Sequence, residues 1–263
     1  MQYMTHFVPD VADEVFINNL TTETANNFIS TVQSLNKNYQ IAITGTIGSG
    51  KSTLCETMAA LCRSANITPN VYPEYLAENN LALQLLEQKI NGKISSLTLQ
   101  SFVLDMWELR LRQEIRSNFS IFERCPDDSV LCFCNNDNAI DQLSDHDFLS
   151  LYRRMRKMLK KYPAPSYYSN VVHFTKIQSS TIDLNVSQIT DIIKSDIQNN
   201  IYQRIIGLSV TPYLSLSRIN KRNREGEKYT LDQATSYVRY YENLYDTFEK
   251  KRNLNRFVDI GLL

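Results

Sequence analysis

"YQIAITGTIGSGKSTLCETMAALC", residues 39–62, places three of the chain's seven glycines, Gly45, Gly48 and Gly50, within six positions. Before them, "YQIAIT" is a short apolar run ending at glycine, the form of a strand buried on both faces of a parallel sheet. After them, Lys51 to Ser64 carries Leu54, Met58 and Leu61 at helical spacing. Between strand and helix, "GTIGSGKS", residues 45–52, fits G-x-x-x-x-G-K-S in the one context where that pattern has a mechanism. Glycines let the backbone curl until its amide hydrogens converge on phosphate oxygens, and the helix that follows adds its positive end. Gly45, Thr46, Ile47, Gly48, Ser49, Gly50, Lys51, Ser52 and Thr53 are therefore expected to hold a nucleoside triphosphate. Lys51 reaches the terminal phosphates, and the Ser52 hydroxyl binds magnesium. The loop does not say which group receives the phosphate.

With 263 residues and 43% hydrophobic content the chain can bury a large single core. Its 28 basic and 28 acidic side chains cancel, so no global charge draws it to nucleic acid or a membrane surface, and neither is expected as a partner. Asp10, Asp13 and Glu14 stand where a signal peptide needs positive charge, and no apolar run approaches the roughly 20 residues that cross a bilayer. An intracellular, cytoplasmic protein is expected. Cys55, Cys62, Cys125, Cys132 and Cys134 are odd in number and lack a paired C-x-x-C arrangement, so they read as small buried hydrophobes rather than disulfides or zinc ligands.

Outward from the glycines, strands and helices alternate. Amphipathic helix patterns occupy 10–36, and "PNVYPE", 69–74, is a second strand candidate. Helices are expected over 76–91 and 95–117, then a third strand at "FSIFER", 119–124. A basic amphipathic helix covers 144–161. Strand-like "NVVHFTKI", 170–177, and "QRIIGLSV", 203–210, flank an isoleucine-striped helix. Helices near 212–224 and 230–250 and a strand near "RFVDIG" end the chain. The expectation is an α/β fold with a parallel sheet of about five strands around the phosphate loop, flanked by helices. Residues 1–38 form an N-terminal helical extension before a domain at 39–263, with an insertion at 163–202.

Three further stretches bear on the chemistry. Glu74 ends the second strand candidate, at the carboxyl edge where open parallel sheets place ligands, and a carboxylate there can take a proton from an attacking hydroxyl. By itself it would be an exposed loop acid. "ERC", 123–125, offers Glu123 for magnesium and Arg124 for charge developing on a phosphoryl group; by itself it would be a salt-bridge pair. "SRINKRNREGEKY", 217–229, carries Arg218, Arg222 and Arg224, which can close over a triphosphate as a lid or simply form a solvated basic helix end.

Taken together these residues resemble the deoxynucleoside kinases, including the herpesvirus-type thymidine kinases. The loop "GTIGSGKST", Glu74 in "PEY", Gln100 in "LTLQSFVLDM", "ERC" with Phe133 beyond it, and the arginine stretch occur in the family's order. The resemblance covers about 40–136 and 203–250. It implies that Glu74 is the general base toward the nucleoside 5′-hydroxyl and that Arg124 and Lys51 stabilise the reacting centre, with ATP and Mg2+ as cofactors. Ser52 and Glu123 would serve the metal, Gln100 would bond the base edge, and Phe133 would stack on it. Glu227 falls where an acid touches the sugar 3′-hydroxyl. Assembly as a homodimer or larger homo-oligomer is also expected.

The sequence departs from the family where Asn79 and Lys89 replace aromatics of the substrate pocket, Gly226 replaces a lid acid, and Cys125 ends the "ERC" triplet. Two other readings therefore stand beside a deoxynucleoside kinase. A nucleoside monophosphate kinase would need an arginine in the acceptor pocket, from Arg110 or Arg112. A kinase-derived assembly protein would use the extension and insertion as contact surface.

Overall fold

The computed structural model describes residues 16–74, 80–113, 117–134, 137, 142–222 and 229–254. β1 (Tyr39–Gly45) lies at the centre of a five-stranded parallel sheet. β3 (Phe119–Glu123) and then β2 (Asn70–Tyr72) lie on one side of it, and β5 (Gln203–Ser209) and then β4 (His173–Gln178) on the other. The connections leave β1 in both directions, so the carboxyl ends of β1, β3 and β5 frame the switch point where such sheets bind ligands.

The pleat sorts side chains between two cores. Tyr39, Ile41 and Ile43 of β1, Phe119 and Ile121 of β3, and Ile206 and Leu208 of β5 enter one core, shared with α1 (Thr22–Gln33), α2 (Lys51–Ser64) and α7 (Ile182–Gln198). Ala42, Phe122, Ile205 and Phe174 enter the other, covered by α3 (Asn80–Ile90), α4 (Ser96–Leu111), α6 (Asp145–Lys161) and α9 (Leu231–Leu254). Both faces are covered, which explains why β1 reads as a continuous apolar run. Leu54, Met58 and Leu61 are fully buried on α2, as their spacing predicts. A buried ion pair of Arg204 with Asp196, to which Tyr39 Oη also donates at 2.6 Å, ties β1, β5 and α7 together.

Residues 163–202, expected as an insertion, supply edge strand β4 and helix α7 to this architecture. Thr21 caps α1, and its backbone N–H donates to Asp183 Oδ1 at 2.8 Å, joining the extension to α7. After β3 the chain forms a short helical turn, α5 (Pro126–Asp128), that runs into a π-helix at Ser129–Cys134. Neither has the apolar period that marks longer helices, although Pro126 at the first position and Asp128 two residues later are start signals. The second strand is only three residues long, and α8 (Pro212–Arg222) contains the start of the stretch expected to act as a lid. The strand expected near 256–261 lies outside the described residues. All five cysteines are buried free thiols, and no described helix is long and apolar enough to cross a membrane.

Candidate active site

The loop leaves β1 at Gly45 and enters α2 at Lys51. Gly48 takes φ +75, and a Cβ there would lie 2.6 Å from the Ser215 carbonyl oxygen, so only glycine fits. Gly50, at φ +98, is the residue before α2. Lys51 is 4% exposed, with Nζ donating to Thr46 O at 2.8 Å. Burial, assisted by the nearby Arg124 charge, pushes its ammonium down to about 8 against the pull of Glu74, Glu123 and Asp128. The Thr46 and Ser49 hydroxyls are buried and make no hydrogen bond among the described residues. A loop with an under-compensated ammonium and unpaired hydroxyls suits an oxygen-rich anion.

The carboxyl ends of β2 and β3 complete the centre. Ser52 Oγ donates to Glu123 Oε1 at 2.5 Å, and the Glu74 backbone N–H donates to Glu123 Oε2 at 3.2 Å. Arg124 Nε donates to Glu74 Oε1 at 2.9 Å, while its Nη1 donates to Gly45 O at 2.8 Å and to Tyr241 Oη at 2.5 Å. The Arg124 guanidinium also lies 5.1 Å from the Phe133 ring centroid. Burial opposes its charge, but Glu74, Tyr241 and Asp128 hold its pKa well above the usual value. Arg124 takes φ +73, a left-handed conformation that a non-glycine residue adopts only under constraint from its surroundings.

Among the described residues no cluster of three or more His, Cys, Asp or Glu side chains is placed to hold a metal. Glu123 beside the Ser52 hydroxyl would nevertheless offer oxygen donors of the kind magnesium prefers, so the residues present fit that ion.

A cavity of about 590 Å³ runs from the loop past this centre. Gln100, Phe133, Leu86 and Tyr237 also line it. Gln100 is 5% exposed, and its Oε1 makes no hydrogen bond among the described residues. Lys89 Nζ, also in the wall, lies 3.1 Å from Asp137 Oδ1.

A family model described as deoxynucleoside kinase matches residues 41–182, more than half of the chain. The chain belongs to the deoxynucleoside kinase family. Solved structures of deoxyadenosine kinase from M. mycoides resemble it. The one with bound dCTP is 18% identical with a TM-score of 0.50, over 83% of this chain and 86% of that one. The one with bound dATP is 17% identical with a TM-score of 0.47, over 81% and 86%. At this identity the likeness carries the fold alone. No curated protein matches the chain in sequence.

Within this family member, the structure gathers Lys51, Ser52, Glu74, Gln100, Arg124 and Phe133 around one cavity, with Glu123 bonded to Ser52 beside it. Arg218 lines the same cavity and is fastened to the loop: its Nη1 donates to Gly48 O at 3.3 Å, Ser49 O at 3.1 Å and Ser179 Oγ at 2.9 Å. Arg222 belongs to α8, with its side chain outside the description, and Arg224 and Glu227 lie outside the described residues. Sequence reasoning missed Tyr241, Asp137 and Ser179. Tyr241 had a legible signal, because Tyr237, Tyr241 and Tyr245 recur every fourth residue of α9 and so share one helix face. Asp137, within "NNDNA", and Ser179, at the end of an edge strand, carry no pattern of their own.

Proposed function

We propose that this kinase transfers the γ-phosphate of ATP to the 5′-hydroxyl of a deoxynucleoside. The observation that carries the reading is the placement of Glu74 and Arg124, 2.9 Å apart, between the phosphate loop and the pocket bearing Gln100. Glu74 accepts the hydroxyl proton as the 5′-oxygen attacks, and Arg124 keeps that carboxylate oriented while facing the transferring charge. Lys51 neutralises terminal phosphate oxygens. Magnesium held by Ser52 and Glu123 would supply further charge neutralisation between the phosphates.

On the acceptor side, Gln100 offers an amide to the base edge, and Phe133 offers its ring face. Lys89 replaces an expected aromatic. With Asp137 it gives the pocket a donor and an acceptor together, the pairing a sugar hydroxyl satisfies at once.

A monophosphate acceptor fits less well. Arg110 donates to the Pro73 carbonyl and Arg112 pairs with Glu108 at 2.7 Å, and neither lines the cavity. A chain kept only for assembly has no use for an intact loop, base and buried arginine in one cavity. Assembly as a homodimer or larger homo-oligomer and an intracellular location belong to the same proposal and rest on the resemblance.

Comparing turnover of deoxynucleosides with that of their 5′-monophosphates tests the reading. Phosphorylation of the nucleosides alone is expected, and preference for the monophosphates overturns it.

A further inference from the structure

The corner between β4 and α7 borders the phosphate loop, although it comes from the stretch that the sequence presented as an insertion. Ser179 Oγ donates to Ser49 O at 2.7 Å, so this corner is fastened to the loop. Beyond it, Ser180 and Asn185 line the same cavity, together with the half-buried Ile47 and Ile182.

The polarity of these two residues is fixed. The Ser180 backbone N–H and its Oγ both donate to Asn185 Oδ1, at 3.3 and 2.9 Å. Asn185 is 5% exposed, and both of these bonds go to its carbonyl oxygen, which leaves the amide nitrogen to the cavity. The corner therefore presents one amide donor beside one hydroxyl oxygen whose hydrogen is already committed and which can only accept. A ligand that supplies an acceptor to this amide in the cavity wall gains a hydrogen bond there.

We propose that Ser180 and Asn185 form the base-reading subsite for the phosphate donor and select adenine over guanine. The inference rests on the loop holding the donor's phosphates, as argued above. Adenine offers a ring-nitrogen acceptor beside an exocyclic amine donor, the complement of Asn185 Nδ2 and Ser180 Oγ. Guanine offers two acceptors, N7 and O6, on the corresponding edge, and the second would meet the lone pairs of an oxygen that has no hydrogen to give. Ile47 and Ile182 supply apolar surface for the base faces.

The test is calorimetric, on the full chain, with inorganic tripolyphosphate, ADP and GDP as probes. Tripolyphosphate reports the loop alone. The parent is expected to bind tripolyphosphate and to bind ADP about tenfold more tightly than GDP. Asn185→Asp keeps the acceptor for Ser180 but replaces the donor with a second acceptor. It should lose about tenfold in ADP affinity and keep its affinity for tripolyphosphate. Ser180→Ala should also weaken ADP, and it carries the test if Asn185→Asp fails to fold by its melting curve. Equal ADP and GDP affinity in the parent, or undiminished ADP affinity in the folded variants, overturns the assignment while leaving the loop reading intact. A parent that binds no tripolyphosphate overturns both.

Discussion

Arg124 Nε donates to Glu74 Oε1 at 2.9 Å, so the proposed base and the cation proposed to face the transferring phosphoryl group are held as one unit. The unit is anchored by Gly45 O and Tyr241 Oη, which fixes the carboxylate relative to the loop. Glu74→Gln keeps the shape but cannot take a proton. Its turnover should fall about 10²–10⁴-fold with ADP binding preserved, as initial rates and calorimetry would show. Arg124→Lys should not substitute, because a lysine cannot donate in the three directions the guanidinium uses.

The Ser52–Glu123 contact predicts a metal phenotype distinct from a chemical one. Glu123→Gln weakens an anionic oxygen donor without emptying the site. The magnesium concentration for half-maximal rate should rise by about tenfold or more, with activity partly recovered at high magnesium. A magnesium titration of initial rate reads this directly, and an unchanged midpoint would remove Glu123 from the metal's surroundings.

Lys89 and Asp137 form an ion pair 3.1 Å apart with little exposure. Removing one partner, as in Lys89→Met, leaves a buried carboxylate and should cost roughly 3–5 kcal/mol of stability. The double variant Lys89→Met/Asp137→Asn should regain much of that stability, because no uncompensated charge remains. If the pair holds the sugar, the double variant keeps a raised KM for the deoxynucleoside and no longer distinguishes it from its 3′-deoxy analogue. Denaturant melts and acceptor kinetics together separate the structural part from the recognition part.

Asp127, beneath the "ERC" turn, is fully buried and accepts from the Tyr167 backbone N–H at 2.6 Å. Burial pushes its carboxyl up to about 7. Its pKa is raised in the folded state, so folding binds a proton between about pH 4 and pH 7. Stability from this group is complete below pH 4, declines as pH rises through that window, and levels off above 7. Asp127→Asn should flatten the decline, on the order of 2–4 kcal/mol, and match or exceed the parent at pH 8 in urea unfolding.

The legible part of the site is the part written in one contiguous stretch. β1, the loop and α2 follow each other with a buried run, three glycines and a helical period, and Lys51 and Ser52 are fixed by that stretch alone. Glu74 and the "ERC" residues were legible because each ends a strand, and parallel strands present their carboxyl ends to one edge. The Lys89–Asp137 pair was hidden because it joins residues far apart in sequence, one of them in an unpatterned polar run. The contact of Ser179 with Ser49 depends on β4 pairing outside β5, a strand order that no local period encodes. The π-helix at 129–134 was invisible for a different reason: its five-residue hydrogen bonding gives neither of the two periods that sequence patterns reveal. Of the residues expected in an arginine lid, Arg218 donates to the loop's carbonyls, while Arg224 and Glu227 fall outside the described residues.

The central claim, phosphoryl transfer to a deoxynucleoside, is tested most directly by supplying magnesium ATP with the γ-phosphate labelled and each of the four deoxynucleosides in turn. The account predicts label on the 5′-oxygen of at least one of them, and none with Lys51→Ala. A purified, folded chain that binds ATP yet labels none of the four would contradict it.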